Sequence, residues 1–288
     1  VLESTNVIAG DLFLYFPDGM HDTLLDVQNS PLIEEVRIDV TGNITDTEIN
    51  FINSAASFDF QIDANLHFVR TNITLQSFQH TSGTFDIEAR DDIIESNITL
   101  LGCSIDTTGV FTLAGRLVDS HYVIAGTSIP DATIAIELEF LRSTMQLITV
   151  SNSKRTTFSS PIADSSIYIF TSALTNLLFT GAPSTNSLLH VKDSTIESTS
   201  TTSAVSFTSS SPSAATVHYF EGNIINASMG TGEAIYYEST SPILAGAKVQ
   251  FSGNSVSALW LDYSAYIHQG GGNLIIDDTN TFTSYMRI

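Results

Sequence analysis

The stretch VRTNITLQSF at residues 69–78 decides the fold, because it recurs along the chain. A modified copy, IESNITLLGC, occupies residues 94–103, and a third, VDSHYVIAGT, occupies residues 118–127. The copies begin 25 and then 24 residues apart. Self-similarity at a fixed period of this length is typical of repeat proteins, in which each unit packs only against its neighbours.

A shorter phrase extends the repeat beyond these three copies. It consists of an apolar residue, any residue, then Gly, Ser or Thr, and finally Asn. The final positions are Asn43, Asn72, Asn97, Asn223 and Asn254, with His121 as a variant. Successive steps up to His121 are 29, 25 and 24 residues, and the following step of 102 residues fits four more units. The chain is therefore predicted to contain roughly ten repeats.

A second element precedes the Asn phrase in three of the units. It reads FDFQID from Phe58, FDIEAR from Phe85 and FTLAGR from Phe111. The distance from these Phe residues to the Asn position is 14, 12 and 10 residues, so the connecting turn varies while the strands keep their length. Variation confined to loops is typical of a solenoid.

Short alternating or β-branched runs such as NITL and LHFV indicate strands, and the chain is predicted to be an all-β parallel β-helix. Stacked columns such as Ile73, Ile98 and Tyr122 would fill its interior. The recurring Asn would sit at a sharp turn, because Asn tolerates left-handed backbone and its amide can bond to the backbone or to a stacked Asn. Residues 1–37 lack the repeat and are predicted to form an N-terminal cap, with a possible helix within 20–36, and residues 38–288 form the β-helix.

These features resemble the right-handed parallel β-helix proteins of the pectin-lyase-like kind, including bacteriophage fibres, tailspikes and other virion surface proteins. The resemblance rests on coils of about two dozen residues, a turn ladder of Asn residues and exposed faces rich in Ser, Thr and Asn. It implies the architecture more strongly than any activity, because this fold carries lyases, hydrolases, fibres and adhesins.

Composition excludes some function classes. The chain has 288 residues with 10 basic and 31 acidic side chains, a formal net charge of −21, so nucleic acid is an unfavourable partner. No run of apolar residues reaches the length of a membrane span, and membrane insertion is not expected. The single cysteine, Cys103, excludes an internal disulfide and is expected to be buried.

Catalytic and metal-binding candidates are few. The Gly-His-Gly and Arg-x-Lys stretches that pectin hydrolases of the resembling family carry do not occur. Asp91 and Asp92 are the weak catalytic candidates, and turn or solvent-facing roles are favoured for them. Asp59 and Asp86 are predicted to stack at equivalent positions and are weak candidates for a cation site. No cofactor is expected.

Aromatic residues near the C-terminus offer a candidate glycan-binding site. Trp260, Tyr263 and Tyr266 lie together in ALWLDYSAYIHQGGG. Burial, or an interface between chains, is the favoured alternative role for these side chains.

The preferred functional hypothesis is a non-enzymatic structural or attachment protein on a virion surface or in the extracellular space. It would be a rigid fibre, spike or decoration element, a homotrimer that contacts other virion or surface proteins and that can bind host polysaccharide. Two alternatives stay open: a polysaccharide-degrading lyase or hydrolase of the tailspike type, and a bacterial surface adhesin.

Overall fold

The computed structural model describes residues 2–4, 9–106, 110–130, 133–180, 184–198, 203–208, 212–213, 215–227, 233–238, 244–261 and 272–287. Every regular element among them is a β-strand. The chain divides into two compact units, residues 1–139 (unit 1) and residues 140–288 (unit 2). Each is a parallel β-solenoid, and together they contain about ten turns, which confirms the predicted fold class.

The strands of the first half are β1 (Leu2–Ser4), β2 (Ala9–Phe16), β3 (Met20–His21), β4 (Leu24–Gln28), β5 (Leu32–Val40), β6 (Ile44–Thr45), β7 (Glu48–Ile52), β8 (Ala55–Ala56), β9 (Phe60–Ala64), β10 (Phe68–Val69), β11 (Asn72–Gln76), β12 (Gln79–His80), β13 (Phe85–Ile94), β14 (Asn97–Leu101), β15 (Ser104–Ile105), β16 (Val110–Val118), β17 (His121–Ala125), β18 (Ser128–Ile129) and β19 (Thr133–Leu141).

Those of the second half are β20 (Thr144–Ile148), β21 (Ser151–Phe158), β22 (Ile162–Ala163), β23 (Ser166–Phe170), β24 (Ala173–Phe179), β25 (Ser184–Thr185), β26 (Leu188–Lys192), β27 (Thr195–Glu197), β28 (Val205–Phe207), β29 (Pro212–Ser213), β30 (Val217–Glu221), β31 (Ile224–Asn226), β32 (Ile235–Tyr237), β33 (Lys248–Ser252), β34 (Ser255–Leu261), β35 (Asn273–Ile276) and β36 (Thr281–Arg287).

Each unit contains several parallel ladders, and one of them carries the clearest repeat. In unit 1 its order is β1-β4-β7-β11-β14-β17, and in unit 2 it is β20-β23-β26-β30-β33-β35. Alternate residues point inward, so Ile73, Ile98 and Tyr122 pair in register and are buried, as the repeat predicts. The described residues of 1–37 form strands that pair with the next coils, so the helix predicted within 20–36 is wrong and a separate cap is not confirmed.

Aromatic rings stack inside each unit at the spacing of the strands. In unit 1 the Phe60, Phe85 and Phe111 rings lie 4.9 and 5.0 Å apart between centroids. In unit 2 the ring of Phe207 stacks 4.8 Å from that of Phe179 and 4.3 Å from that of Tyr237. Neighbouring strands are about 4.8 Å apart, so the backbone ladder itself brings equivalent rings to stacking distance.

Sharp corners join the strands, and they require left-handed backbone. At one corner of unit 1 the φ angles lie between 46° and 50°, at Asp22, Asp46, Arg70, Glu95 and Asp119. This conformation costs an L-residue about 1–2 kcal/mol. The cost is lower for Asp, because short polar side chains can bond locally to the backbone.

A ladder of buried hydroxyl groups follows this corner and offsets its cost. The Thr71 N–H donates to Ser96 Oγ at 3.0 Å, and the Ser96 N–H donates to Ser120 Oγ at 2.9 Å. The Ser96 hydroxyl in turn donates to the Ile94 carbonyl at 2.7 Å. The Ser96 hydroxyl thus supplies an acceptor for a buried backbone N–H of the neighbouring coil, and it adds a second hydrogen bond to a carbonyl that already accepts the Arg70 N–H at 2.9 Å.

Unit 2 repeats this device with Ser143, Ser165 and Ser187. Along a second ladder of unit 2, the side-chain acceptors change from Ser hydroxyl oxygens to Asn amide oxygens. The Ser194 N–H donates to Asn223 Oδ1, the Asn223 N–H to Asn254 Oδ1, and the Asn254 N–H to Asn280 Oδ1, each at 3.0 Å. The Asn side chains also donate to one another along this stack. Buried Ser and Thr residues therefore hold the corners of unit 1, and buried Ser and Asn residues hold those of unit 2.

Candidate functional site

Three carboxylates form a column on one outer face of unit 1. Asp39 of β5 pairs in register with Asp63 of β9, and Asp63 pairs with Glu88 of β13. Their sequence neighbours Ile38, Ile62 and Ile87 are buried. The alternation of a strand therefore turns the three carboxylates toward solvent at successive spacings of about 4.8 Å.

The column lines a cleft of about 360 Å³. Tyr15 extends the column by one strand, because it pairs in register with Asp39, and its side chain remains 68% exposed. The Thr41 hydroxyl donates to the Tyr15 hydroxyl at 3.2 Å. Two guanidinium groups, of Arg37 and Arg90, complete the charged lining. The lining of the cleft thus combines an exposed aromatic ring with carboxylate hydrogen-bond acceptors and guanidinium hydrogen-bond donors.

The electrostatics of the cleft single out Asp63. Its side chain is half-buried, and this desolvation, followed by the charges of Glu88 and Asp39, raises the pKa of Asp63 to about 6. The Arg37 guanidinium donates instead to Asp39, at 2.8 Å. Asp63 can therefore carry a proton near neutral pH, while the neighbouring Asp39 has a cation beside it.

A bulge adjoins the cleft. The register between β13 and β16 shifts between Glu88 and Asp92, and Gly115 opposite it has a φ of 124°. A Cβ at Gly115 would lie 2.8 Å from the Ala89 carbonyl oxygen, so only glycine fits there without movement. Arg90 lies within the bulged segment, and bulges commonly re-aim side chains beside functional sites.

Charge is unevenly divided between the units. Unit 1 contains 4 Lys or Arg and 22 Asp or Glu residues, a formal charge of −18, whereas unit 2 contains 6 and 9, a formal charge of −3. A ligand that approaches the cleft of unit 1 therefore meets a strongly negative potential, which favours neutral or cationic ligands over anionic ones.

The predicted catalytic candidates Asp91 and Asp92 are not among the residues that line this cleft. Asp92 forms a bidentate ion pair with Arg116, at 2.8 and 3.0 Å, and its N–H donates to His67 Nδ1 at 3.2 Å. Asp91 is exposed. The structure therefore gives Asp92 a structural partner and leaves Asp91 facing solvent.

The register separates the predicted cation ligands Asp59 and Asp86. Phe85 pairs with Phe60, so Asp86 stands beside Gln61, and the equivalence of Asp59 with Asp86 is wrong by two residues. Asp59 Oδ1 instead accepts the Thr84 N–H at 2.7 Å. Among the described residues no group of three or more His, Cys, Asp or Glu side chains could hold a metal ion.

The six residues of the predicted turn ladder lie at three kinds of position. Asn72, Asn97 and His121 pair in register at the exposed first residues of β11, β14 and β17, where the Asn97 amide donates to Asn72 Oδ1 at 2.9 Å. Asn43 belongs to another corner of unit 1, where its Oδ1 accepts the His67 N–H at 3.2 Å. In unit 2, Asn223 and Asn254 are buried in the amide ladder.

The predicted glycan site near the C-terminus falls largely outside the described residues. Tyr263 and Tyr266 lie outside them, and of Trp260 only the backbone in β34 is described, where it pairs with Tyr236 and Arg287. In the part of the chain that the structure describes, no helix has the length and apolar character needed to cross a membrane.

Comparison with known proteins gives no relative for this chain. No family model matches the sequence, and no curated protein or solved structure matches it.

Sequence reasoning missed the carboxylate column, although a signal for it was present. The stretches VRIDV at 36–40, FQIDA at 60–64 and FDIEA at 85–89 share an acidic residue after a buried Ile, at steps of 24 and 25 residues. Alignment on Phe58 instead of Phe60 shifted the second stretch and hid the match. Phe58 itself is 55% exposed and lies outside the strand.

Proposed function

We propose that the protein is a structural attachment element of a virion surface or another extracellular surface, and that the cleft of unit 1 binds a host glycan. The observation that carries this proposal is the combination of the exposed Tyr15 ring with the column Asp39, Asp63 and Glu88 in one cleft. Aromatic faces pack against the C–H groups of sugars, and carboxylates and guanidinium groups bind hydroxyl groups through charge-assisted hydrogen bonds.

The charge of unit 1 narrows the class of glycan. A polyuronate or another anionic polysaccharide would meet a formal net charge of −18, which remains after the four basic residues of unit 1 are counted. Neutral sugars, or sugars that carry amino groups, meet no such repulsion. The proposed ligand is therefore a neutral or amino-substituted glycan.

Calorimetric titration with three oligosaccharides tests this proposal: cello-oligosaccharides, chitosan oligosaccharides and oligogalacturonate. We expect one of the first two to bind and oligogalacturonate not to bind. Tyr15→Ala and Asp39→Asn should each weaken binding about tenfold. Asp46→Asn, which removes an exposed carboxylate paired with Arg70 outside the cleft, serves as the matched control. Selective binding of oligogalacturonate, or full binding by both cleft variants, would contradict the proposal.

Assembly as a homotrimer belongs to the same proposal. Large apolar side chains of unit 1 are exposed, among them Phe13 at 55%, Leu32 at 60% and Phe58 at 55%. Burial of these side chains against another chain would remove apolar surface from water. The mass of the native particle, with an unheated sample in SDS, tests this assembly. A trimer is the expected result, and a monomer at all concentrations would contradict it.

Glycan hydrolysis is the second candidate function, and the raised pKa of Asp63 favours it. A carboxyl group with a pKa of about 6 can act as a general acid beside a second, ionised carboxylate. Carboxyl groups on adjacent strands, about 5 Å apart, suit a retaining mechanism, and those two strands apart, about 9.5 Å, suit an inverting one. Release of reducing ends from a bound oligosaccharide, lost in Asp63→Asn, would support this function over simple attachment.

A further inference from the structure

A cluster of aromatic and charged side chains covers the outer face of the ladder in unit 2. We call it the aromatic face, and it consists of Tyr168, Phe170, His190, Lys192, Tyr219 and Glu221. These residues alternate with buried ones such as Ile169, Val191 and Phe220, so they point outward, and all six are partly exposed. The cluster therefore contributes little to the core.

The rings of the aromatic face contact one another. His190 lies at the centre, with ring centroids 4.8 Å from Tyr219, 5.1 Å from Phe170 and 6.5 Å from Tyr168. Tyr168 and Phe170 meet edge to face at 5.5 Å. The contacts hold the rings as one continuous surface, so a ligand would not have to order them one by one.

An ion-pair group borders the rings. Glu221 accepts from Lys192 Nζ at 3.0 Å and lies 3.3 Å from His190 Nε2. The Lys192 hydrogen bond is also the main cause that lowers the pKa of Glu221. Donors and an acceptor therefore stand at fixed positions beside the apolar surface.

The solenoid does not require aromatic residues at these positions. The equivalent outward positions in the ladder of unit 1 carry no aromatic residue: they are Asp26, Asn50, Thr74, Thr99 and Val123 in one column and Gln28, Ile52, Gln76, Leu101 and Ala125 in the next. Polar and aliphatic residues therefore suffice at this face. The aromatic residues of unit 2 thus call for an explanation other than the fold.

The size of the aromatic face decides which class of partner fits it. It spans three strands in one direction, about 10 Å, and three residues in the other, about 7 Å. Even with the width of the side chains added, this falls well short of the roughly 800 Å² per partner of a stable protein interface. One or two sugar rings match this footprint.

We propose that the aromatic face is a second saccharide-binding site, which binds a pyranose mono- or disaccharide. The C–H face of the sugar packs on the rings of Tyr168, His190 and Tyr219, and its hydroxyl groups bind Glu221 and Lys192. Unit 2 has a formal charge of only −3, so a sugar that carries a carboxylate meets weaker repulsion at this site than at the cleft of unit 1.

Saturation-transfer NMR on the full chain tests this site. The probes are the methyl glycosides of glucose, galactose, mannose, N-acetylglucosamine and glucuronic acid at millimolar concentration. We expect at least one to bind, with about tenfold weaker binding in Tyr219→Ala and in Glu221→Gln. Glu221→Gln keeps the shape of the side chain, so it tests the site even where Tyr219→Ala reduces stability. Lys154→Ala, an exposed cation of unit 2 outside the aromatic face, is the matched control.

The outcomes separate this proposal from that for the cleft. Loss of binding in the Tyr219 and Glu221 variants, but not in Tyr15→Ala, supports the second site. No binding of any probe overturns it, and so does binding that both variants retain. A native mass that falls on Tyr219→Ala would also overturn it, because the face would then be an interface between copies of the chain.

Discussion

Replacement of Asp63 by Asn should make the protein more stable at neutral pH. In the folded chain the half-buried Asp63 has neighbours Glu88 and Asp39, and its pKa rises from 3.8 to about 6. In the unfolded chain it returns to an ordinary value. The folded state therefore binds the proton more tightly, and the stability that this proton confers is complete below about pH 4 and is lost as the pH rises through about 6.

The size of this stability difference follows from the pKa shift of Asp63. About two pKa units correspond to roughly 3 kcal/mol, and solvent screening of a half-exposed side chain reduces this to about 1–2 kcal/mol. Asn resembles the protonated acid and never ionises. Asp63→Asn should thus exceed the wild type by about 1–2 kcal/mol at pH 7.5 and equal it at pH 3.5.

Urea unfolding followed by circular dichroism, at half-unit steps between pH 3.5 and 8, measures this difference. Asp46→Asn is the control with the opposite sign, because the Arg70 hydrogen bond lowers the pKa of Asp46, and its removal should destabilise the protein at neutral pH. A difference between Asp63→Asn and the wild type that stays constant across this pH range would refute the reasoning.

Three further predictions concern the corners and the core. Ser96→Ala should cost about 1–3 kcal/mol in the free energy of unfolding, because the buried Thr71 N–H loses its acceptor, whereas Ser96→Thr should retain most of the stability. Gly115→Ala should cost about 2–3 kcal/mol by thermal unfolding, whereas Gly102→Asn, at a φ of 60° with no atom within 4 Å of an added Cβ, should cost less than about 1 kcal/mol. Burial raises the pKa of the Cys103 thiol, so Ellman's reagent should react with this thiol only at the rate of unfolding. Rapid reaction of the native protein would contradict the burial of Cys103.

The repeat in the sequence was sufficient to predict the fold and part of the register. Ile73 and Ile98 occupy the same place in nearly identical phrases, so their stacking could be read directly. Phe58 and Phe60 could not be distinguished in this way, because both have the parity of a buried residue and only the loop before β9 decides which one enters the core. Phe60 does, and Phe58 stays exposed.

The four-residue phrase that ends in Asn likewise could not show which corner of the coil it forms. Asn72 and Asn223 end similar four-residue phrases, yet Asn72 is the exposed first residue of a strand and Asn223 is buried in an amide ladder. Each coil has more than one left-handed corner, and the same local chemistry suits them all. The carboxylate column could not be predicted, because it exists only once the register of three coils is correct.

The hydroxyl ladder of unit 1 also has a consequence for how such a chain can change in length. Each hydroxyl forms hydrogen bonds only within its own coil and to the neighbouring coils, so removal of residues 72–96 would join Thr71 to Asn97 and place the Thr71 N–H opposite Ser120 Oγ in place of Ser96 Oγ. The same bond would form again. A gene that loses or duplicates one whole coil therefore keeps every corner intact and alters the length of the unit in steps of about 4.8 Å. The length of the unit can then change in evolution through the number of coils, while the structure of each coil stays the same.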